Sequence, residues 1–187
     1  NAPVVILVHG FSGNRVTMRM IALALAEKGL ICASLDLRGH GSSEGFMSGG
    51  MGGSVNFSND VNAVIGALHA NGIGNTSRVI LIGHSMGGGV ALSTGAQLSS
   101  AIAVIGVAPY SSPSWVNTTN PRNLLLIMST GDSVVNASTI QQVFYKSINA
   151  TGATNTVYDI AGNKRELFVV QGPDHLSIVY DTAVIAQ

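Results

Sequence analysis

A serine between two glycines, Gly83-His84-Ser85-Met86-Gly87, follows the apolar run Val79-Ile80-Leu81-Ile82 and precedes an apolar, glycine-laced stretch over residues 88–98. A serine on so sharp a strand-to-helix turn projects its hydroxyl from the end of a sheet, and the flanking glycines keep the turn sterically possible. A hydroxyl by itself is a weak nucleophile near neutral pH. Covalent chemistry at Ser85 therefore requires three further groups: a base for the proton, an acid to orient the base, and N–H donors for the oxyanion that forms.

Of the five histidines, only His175 sits just past an apolar run downstream of the serine, in Gly172-Pro173-Asp174-His175. It is the candidate base. His69 ends a helical pattern and reads as a solvated residue, and His84, inside the elbow, reads as a shaping residue. The acid should follow the preceding strand, where residues 124–128 lead into Ser129-Thr130-Gly131-Asp132 and make Asp132 the candidate. Asp174 is its rival, although adjacency to His175 makes alignment on the imidazole awkward. The bland readings are a helix-capping histidine and a turn aspartate. Backbone donors are expected from Met86, directly after the nucleophile at a helix start, and from the turn His9-Gly10-Phe11. There Phe11 supplies the N–H, with Ser12 as a second source.

These positions are far apart in the chain, so the scaffold must gather them. Short β-rich apolar runs at 4–8, 30–35, 78–82, 102–107, 124–128 and 167–170 alternate with helical patterns at 16–28, 60–70, 86–98, 138–148 and 176–185. In the second helix Val61, Val64, Ile65 and Leu68 recur at helical spacing, with Ser58 or Asn59 available as a cap. Residues 151–164 read as loop, with 156–160 as the one extended piece they could hold. Continuous rather than alternating apolar strands are buried on both faces, which indicates a parallel sheet covered by helices. Right-handed crossovers then bring the strand C-terminal ends to one edge, where such sheets place their chemistry. The expected fold class is α/β, a mostly parallel sheet of about six strands with helices on both faces, in a single domain over 1–187.

Composition narrows the alternatives. With 46% apolar and 10% charged residues in 187, the chain can bury a core and is not disordered. Nine basic and nine acidic residues balance, and the scattered basic ones give no footprint for nucleic acid. No apolar run approaches the roughly 18–20 residues of a membrane span, and no signal-peptide pattern opens the sequence, so a soluble body is expected. The single cysteine, Cys32, excludes an internal disulfide or a cysteine metal cluster and reads as a buried small residue. Low charge, few lysines and N-x-S/T sequons at Asn56, Asn75, Asn117, Asn136 and Asn149 lean weakly toward an extracytoplasmic setting.

Taken together, the motifs resemble those of the α/β-hydrolases. His9-Gly10-Phe11 is similar to the superfamily's oxyanion turn, and the elbow, the acid turn Gly131-Asp132 and the histidine loop Asp174-His175 follow in its Ser, Asp, His order. Asp36-Leu37-Arg38-Gly39-His40-Gly41-Ser42-Ser43 resembles the D-x-R-G-H-G-x-S loop of the serine aminopeptidase and monoacylglycerol-lipase-like branch. The resemblance spans nearly the whole chain. It implies a structured, non-catalytic 36–43 turn with Arg38 and His40 in polar networks. It also implies a strand order of 4-3-5-6-7-8 in the superfamily's numbering, with the superfamily's first two strands absent. Residues 30–35 would then form an exposed edge that pairs with a partner or is covered by an upstream segment.

About sixteen residues separate the runs at 102–107 and 124–128, too few for the helical cap that related lipases often carry. An open site is expected, with Tyr110 and Trp115 in a low apolar wall against the substrate, although Trp115 could equally be ordinary packing. Residues 45–54 read as a flexible connection whose Phe46, Met47 and Met51 could form a flap, and Met47 is the candidate substrate contact. The expected activity is hydrolysis of small-molecule carboxylic esters with short to medium acyl chains, through an acyl-enzyme and with neither cofactor nor metal. The alternatives are peptide or amide cleavage, a lyase using the same three residues, and a non-catalytic binding module.

Overall fold

In strand β1 (Pro3–Val8), Val4, Val5, Ile6, Leu7 and Val8 are all inaccessible to solvent. Each such side chain contributes about 1.5–3 kcal/mol of burial free energy. The computed structural model describes residues 2–46 and 54–187. β1 forms one sheet with β2 (Ile31–Leu35), β3 (Asn75–His84), β4 (Ala101–Val107), β5 (Leu124–Ser129), β6 (Val157–Ile160) and β7 (Asn163–Val170), in the order β2-β1-β3-β4-β5-β7-β6. All neighbours are parallel except β6 and β7.

The expected strand order is borne out, with β2 as one edge. Among the described residues the sheet has seven strands rather than about six. The additional strand, β6, forms a hairpin with β7 in which Ile160 pairs with Asn163 around Ala161 and Gly162. Both turn residues take positive φ, 52° and 77°, the signature of a type I′ turn. Pairing also lengthens β3 and β7 beyond their apolar runs.

Helices cover both faces. Alternate residues of the central strands enter opposite layers: Val4, Ile6, Leu81, Val104 and Leu126 face α2 (Ser54–Ala70), α3 (Met86–Gly95) and α4 (Ala137–Ser147). Val5, Leu7, Ile82 and Ile127 face α1 (Arg19–Glu27), a 3-10 turn at Ser177–Tyr180, and α5 (Thr182–Ala186). Helix α2 begins six residues before the expected start, because Phe57, 1% exposed, adds a buried position one turn ahead of Val61. The helix expected over 176–185 is instead broken at Asp181, whose extended backbone and side chain cap α5. Cys32 is half-buried against the second layer.

No cap domain rises between β4 and β5. The connection carries only a 3-10 turn at Pro113–Trp115. Among the described residues no helix is long and apolar enough to cross a membrane.

Candidate active site

Ser85 joins β3 to α3 with φ 53° and ψ −120°. Such a backbone costs about 1–3 kcal/mol at a non-glycine residue and persists only where its surroundings over-determine it. Here the Ser85 N–H donates to Val107 O at 3.0 Å, and Ser85 O accepts from the N–H groups of Tyr110 and Gly89 at 2.8 and 3.1 Å. A Cβ at Gly87 would run into the carbonyls of Val8 and His9, so only glycine lets α3 begin this close to β1.

The Ser85 hydroxyl meets His175 Nε2 at 2.8 Å, and His175 Nδ1 meets Asp132 Oδ2 at 2.7 Å. A carboxylate only accepts, so Nδ1 carries the proton and Nε2 is free to accept from the serine hydroxyl. The other carboxylate oxygen, Oδ1, accepts the N–H groups of Val134 and Val135 at 2.8 and 2.9 Å. Burial pushes the Asp132 carboxyl up, but the hydrogen bonds from His175, Val135 and Val134 outweigh it and hold the group below the usual carboxylate range. Asp174 faces elsewhere: its Oδ1 accepts from the N–H groups of Leu176 and Ser177 and caps the turn after His175.

Met86 opens α3, so its N–H is one of the helix-start donors without an intrahelical acceptor. Across from it, the turn 10–13 is closed by Gly13 N–H donating to Gly10 O at 3.0 Å, with Ser12 at φ 61°. His9 Nδ1 donates to the same Gly10 oxygen at 2.7 Å, while its Nε2 accepts Leu37 N–H at 3.1 Å. The C=O and N–H of a trans peptide point in opposite directions, so two donors on Gly10 O turn the Phe11 N–H the other way. Gly10 and Phe11 both line the cleft at Ser85. Burial, aided by the nearby His40, lowers the His9 pKa and keeps Nε2 an acceptor. A Cβ on Gly10 would lie 2.9 Å from His84 Nδ1 and 3.1 Å from Ser85 Cβ, so the turn packs directly on the elbow.

The cleft holds about 490 Å³, and Phe11, Thr17, Val134, Leu176 and Tyr180 surround Ser85 and His175. Tyr110 and Trp115 are not among its lining residues. Tyr110 contributes its backbone N–H to the elbow, and Trp115 packs half-buried onto the core, with its ring against Gly89 of α3. Met47 lies outside the described residues. Val134, Leu176 and Tyr180 were missed in the sequence; the available signal was their place within five residues of Asp132 or His175.

The 36–43 segment is a polar brace. Asp36 accepts from Arg15 N–H at 2.6 Å and Ser42 N–H at 2.9 Å, and Arg38 pairs with Asp60, with Nε to Oδ1 at 2.8 Å. The His40 ring lies tilted against that of His9 and edge-on to those of Phe11 and Phe57. Among the described residues no group of His, Cys, Asp and Glu is arranged to hold a metal ion.

A parallel sheet of this order, with a serine at the β3–α3 elbow, defines an α/β-hydrolase. The chain belongs to the family described as "Serine aminopeptidase, S33", whose model matches residues 1–123. That stretch includes the turn at residues 9–11 and the elbow; Asp132 and His175 lie beyond it. A protein of Haemophilus influenzae named "Putative esterase/lipase" is 40% identical over 112 residues, 58% of this chain and 36% of that protein, so the match spans about a third of the relative's length. In fold, the chain is similar to the Pyrococcus furiosus esterase Pf2001, with a TM-score of 0.77 and 20% identity over 96% of this chain and 77% of that one. A predicted CIB-like hydrolase from Thermoplasma acidophilum gives 0.71 and 21%, covering 100% of this chain and 84% of that one.

Proposed function

We propose that this protein hydrolyses carboxylic esters through an acyl-enzyme on Ser85. The observation that carries the reading is the continuous relay from Ser85 Oγ to His175 Nε2 and from His175 Nδ1 to Asp132. Ser85 Oγ attacks the ester carbonyl as its proton passes to His175 Nε2. The resulting imidazolium is held by the Asp132 carboxylate, and the oxyanion rests on the Phe11 and Met86 N–H groups. His175 then protonates the departing alcohol. Water, deprotonated by the same nitrogen, attacks the acyl-enzyme and releases the acid and Ser85. Removing one oxyanion donor typically costs about 3–4 kcal/mol of transition-state stabilisation.

The apolar lining supports an ester with a hydrophobic group over an aminoacyl amide. The described wall residues Phe11, Val134, Leu176 and Tyr180 offer no carboxylate to an α-ammonium group. The short β4–β5 connection favours short to medium acyl chains. The test is a series of nitrophenyl esters of increasing chain length beside aminoacyl nitroanilides, with fluorophosphonate labelling and Ser85→Ala as control. Ester turnover peaking at short to medium chains, with label and turnover lost in Ser85→Ala, is expected. Preferential nitroanilide cleavage would replace ester with amide as the substrate class, and unlabelled, well-folded protein would end the nucleophile assignment.

A further inference from the structure

Two buried side chains, one of them lining the cleft, hold the loop that carries His175. Ser129, the last residue of β5 and 2% exposed, donates its hydroxyl to Pro173 O at 2.5 Å and accepts Gly131 N–H at 3.1 Å. One hydroxyl thus ties the turn bearing Asp132 to the loop bearing His175. His84, the last residue of β3 and also 2% exposed, meets His175 O through Nε2 at 2.7 Å. A carbonyl oxygen only accepts, so His84 Nε2 carries the proton and donates. Its ring lies 4.8 Å from the His175 ring, centroid to centroid. Burial lowers the His84 pKa to about 4, so the side chain is a neutral donor near neutral pH.

We infer that Ser129 and His84 are positioning residues with divided duties: Ser129 sets the Asp132–His175 separation, and His84 sets the Ser85–His175 separation. The backbone of the histidine loop is anchored at Pro173 and at His175, one carbonyl on each side of Asp174. Each anchor comes from the end of the strand that leads to the other partner of the relay. Displacing a reacting group by about 1 Å costs on the order of 100-fold in rate. Loss of either anchor should therefore lower kcat much more than it changes KM.

The inference rests on the proposed ester chemistry for its kinetic arm, and a spectroscopic arm makes the two separable. Ser129→Ala, Ser129→Thr, His84→Leu and His84→Gln are compared with the unsubstituted protein by burst kinetics on a nitrophenyl ester. Proton NMR of the imidazole N–H shared by His175 and Asp132 provides the second readout, with thermal melts as the folding check. Ser129→Ala should lose about 10- to 100-fold in kcat, with KM within about twofold, and should shift or broaden the shared N–H resonance. His84→Leu should slow acylation similarly while leaving that resonance in place. Ser129→Thr and His84→Gln keep a donor at the anchoring position and should recover most of the rate. Folded Ser129→Ala with an unmoved resonance and normal kcat overturns the inference, as do conservative variants no faster than the deletions. If no ester is turned over at all, the resonance comparison still decides whether Ser129 holds the acid and base together. Should one deletion variant fail to fold, the other deletion and its conservative partner remain decisive.

Discussion

Asp132 does two things at once. One carboxylate oxygen fixes its own turn through the Val134 and Val135 N–H groups, and the other fixes the imidazole of His175. Asp132→Asn keeps the size and can keep the turn, but the amide can present an N–H toward Nδ1 and favour the wrong imidazole tautomer. Turnover should fall about 10⁴-fold with the fold preserved, measured as kcat beside the far-ultraviolet circular dichroism spectrum. A loss under tenfold would remove Asp132 from the relay. Ser85, Asp132 and His175, which the structure brings together, were legible in the sequence because each follows a short, β-rich apolar run that reads as a buried strand. The lining of the cleft was not legible. Val134, Leu176 and Tyr180 have no periodic pattern to mark them and offered only their closeness to Asp132 or His175, whereas Trp115 and Tyr110 attracted notice as aromatics and are not among the lining residues.

Among the elements, the β6–β7 hairpin shows why one strand was hard to read. A type I′ turn is announced by Asn-Gly or Asp-Gly, and this chain uses Ala161-Gly162, with β6 holding only four residues and one edge unpaired. Alanine at φ 52° is strained by its Cβ. Ala161→Asn, a residue that tolerates this conformation, should stabilise the protein by about 0.5–1 kcal/mol. Urea unfolding measures it, and an unchanged or lower midpoint at constant m would contradict the turn assignment. The start of α2 was hidden for a related reason. Ser58 and Asn59 look like caps, yet burial of Phe57 carries the helix past them, a case of tertiary packing overriding local preference. The central strands posed no such problem, since burial on both faces leaves an unbroken apolar run.

For the molecule as a whole, buried ionisable groups set the response to acid. His9 and His84 are held below the ordinary histidine value, His84 at about 4, so the unfolded chain takes up protons first as pH falls through about 6.5. Their stabilising contribution is present above that value and is lost toward the folded value. Asp36 and Asp132 are also held below the usual carboxylate range, and their contribution disappears as pH drops below about 4. Both sets act in the same direction, because stability rises with pH wherever the unfolded state binds more protons. Thermal midpoints should decline from pH 7 to 5 and fall more steeply below 4. A flat or rising midpoint between pH 7 and 5 would show that these imidazoles are not buried neutral.

Ser85, Asp132 and His175 sit past the ends of β3, β5 and β7, and β7 reaches the rest of the sheet through β5 alone. Peeling away the β6–β7 hairpin would thus carry off His175, the proposed general base, while most of the backbone ordering survives. Under rising urea the enzyme should go silent before its circular dichroism changes, and a substrate analogue lodged at Ser85 should bring the two midpoints together.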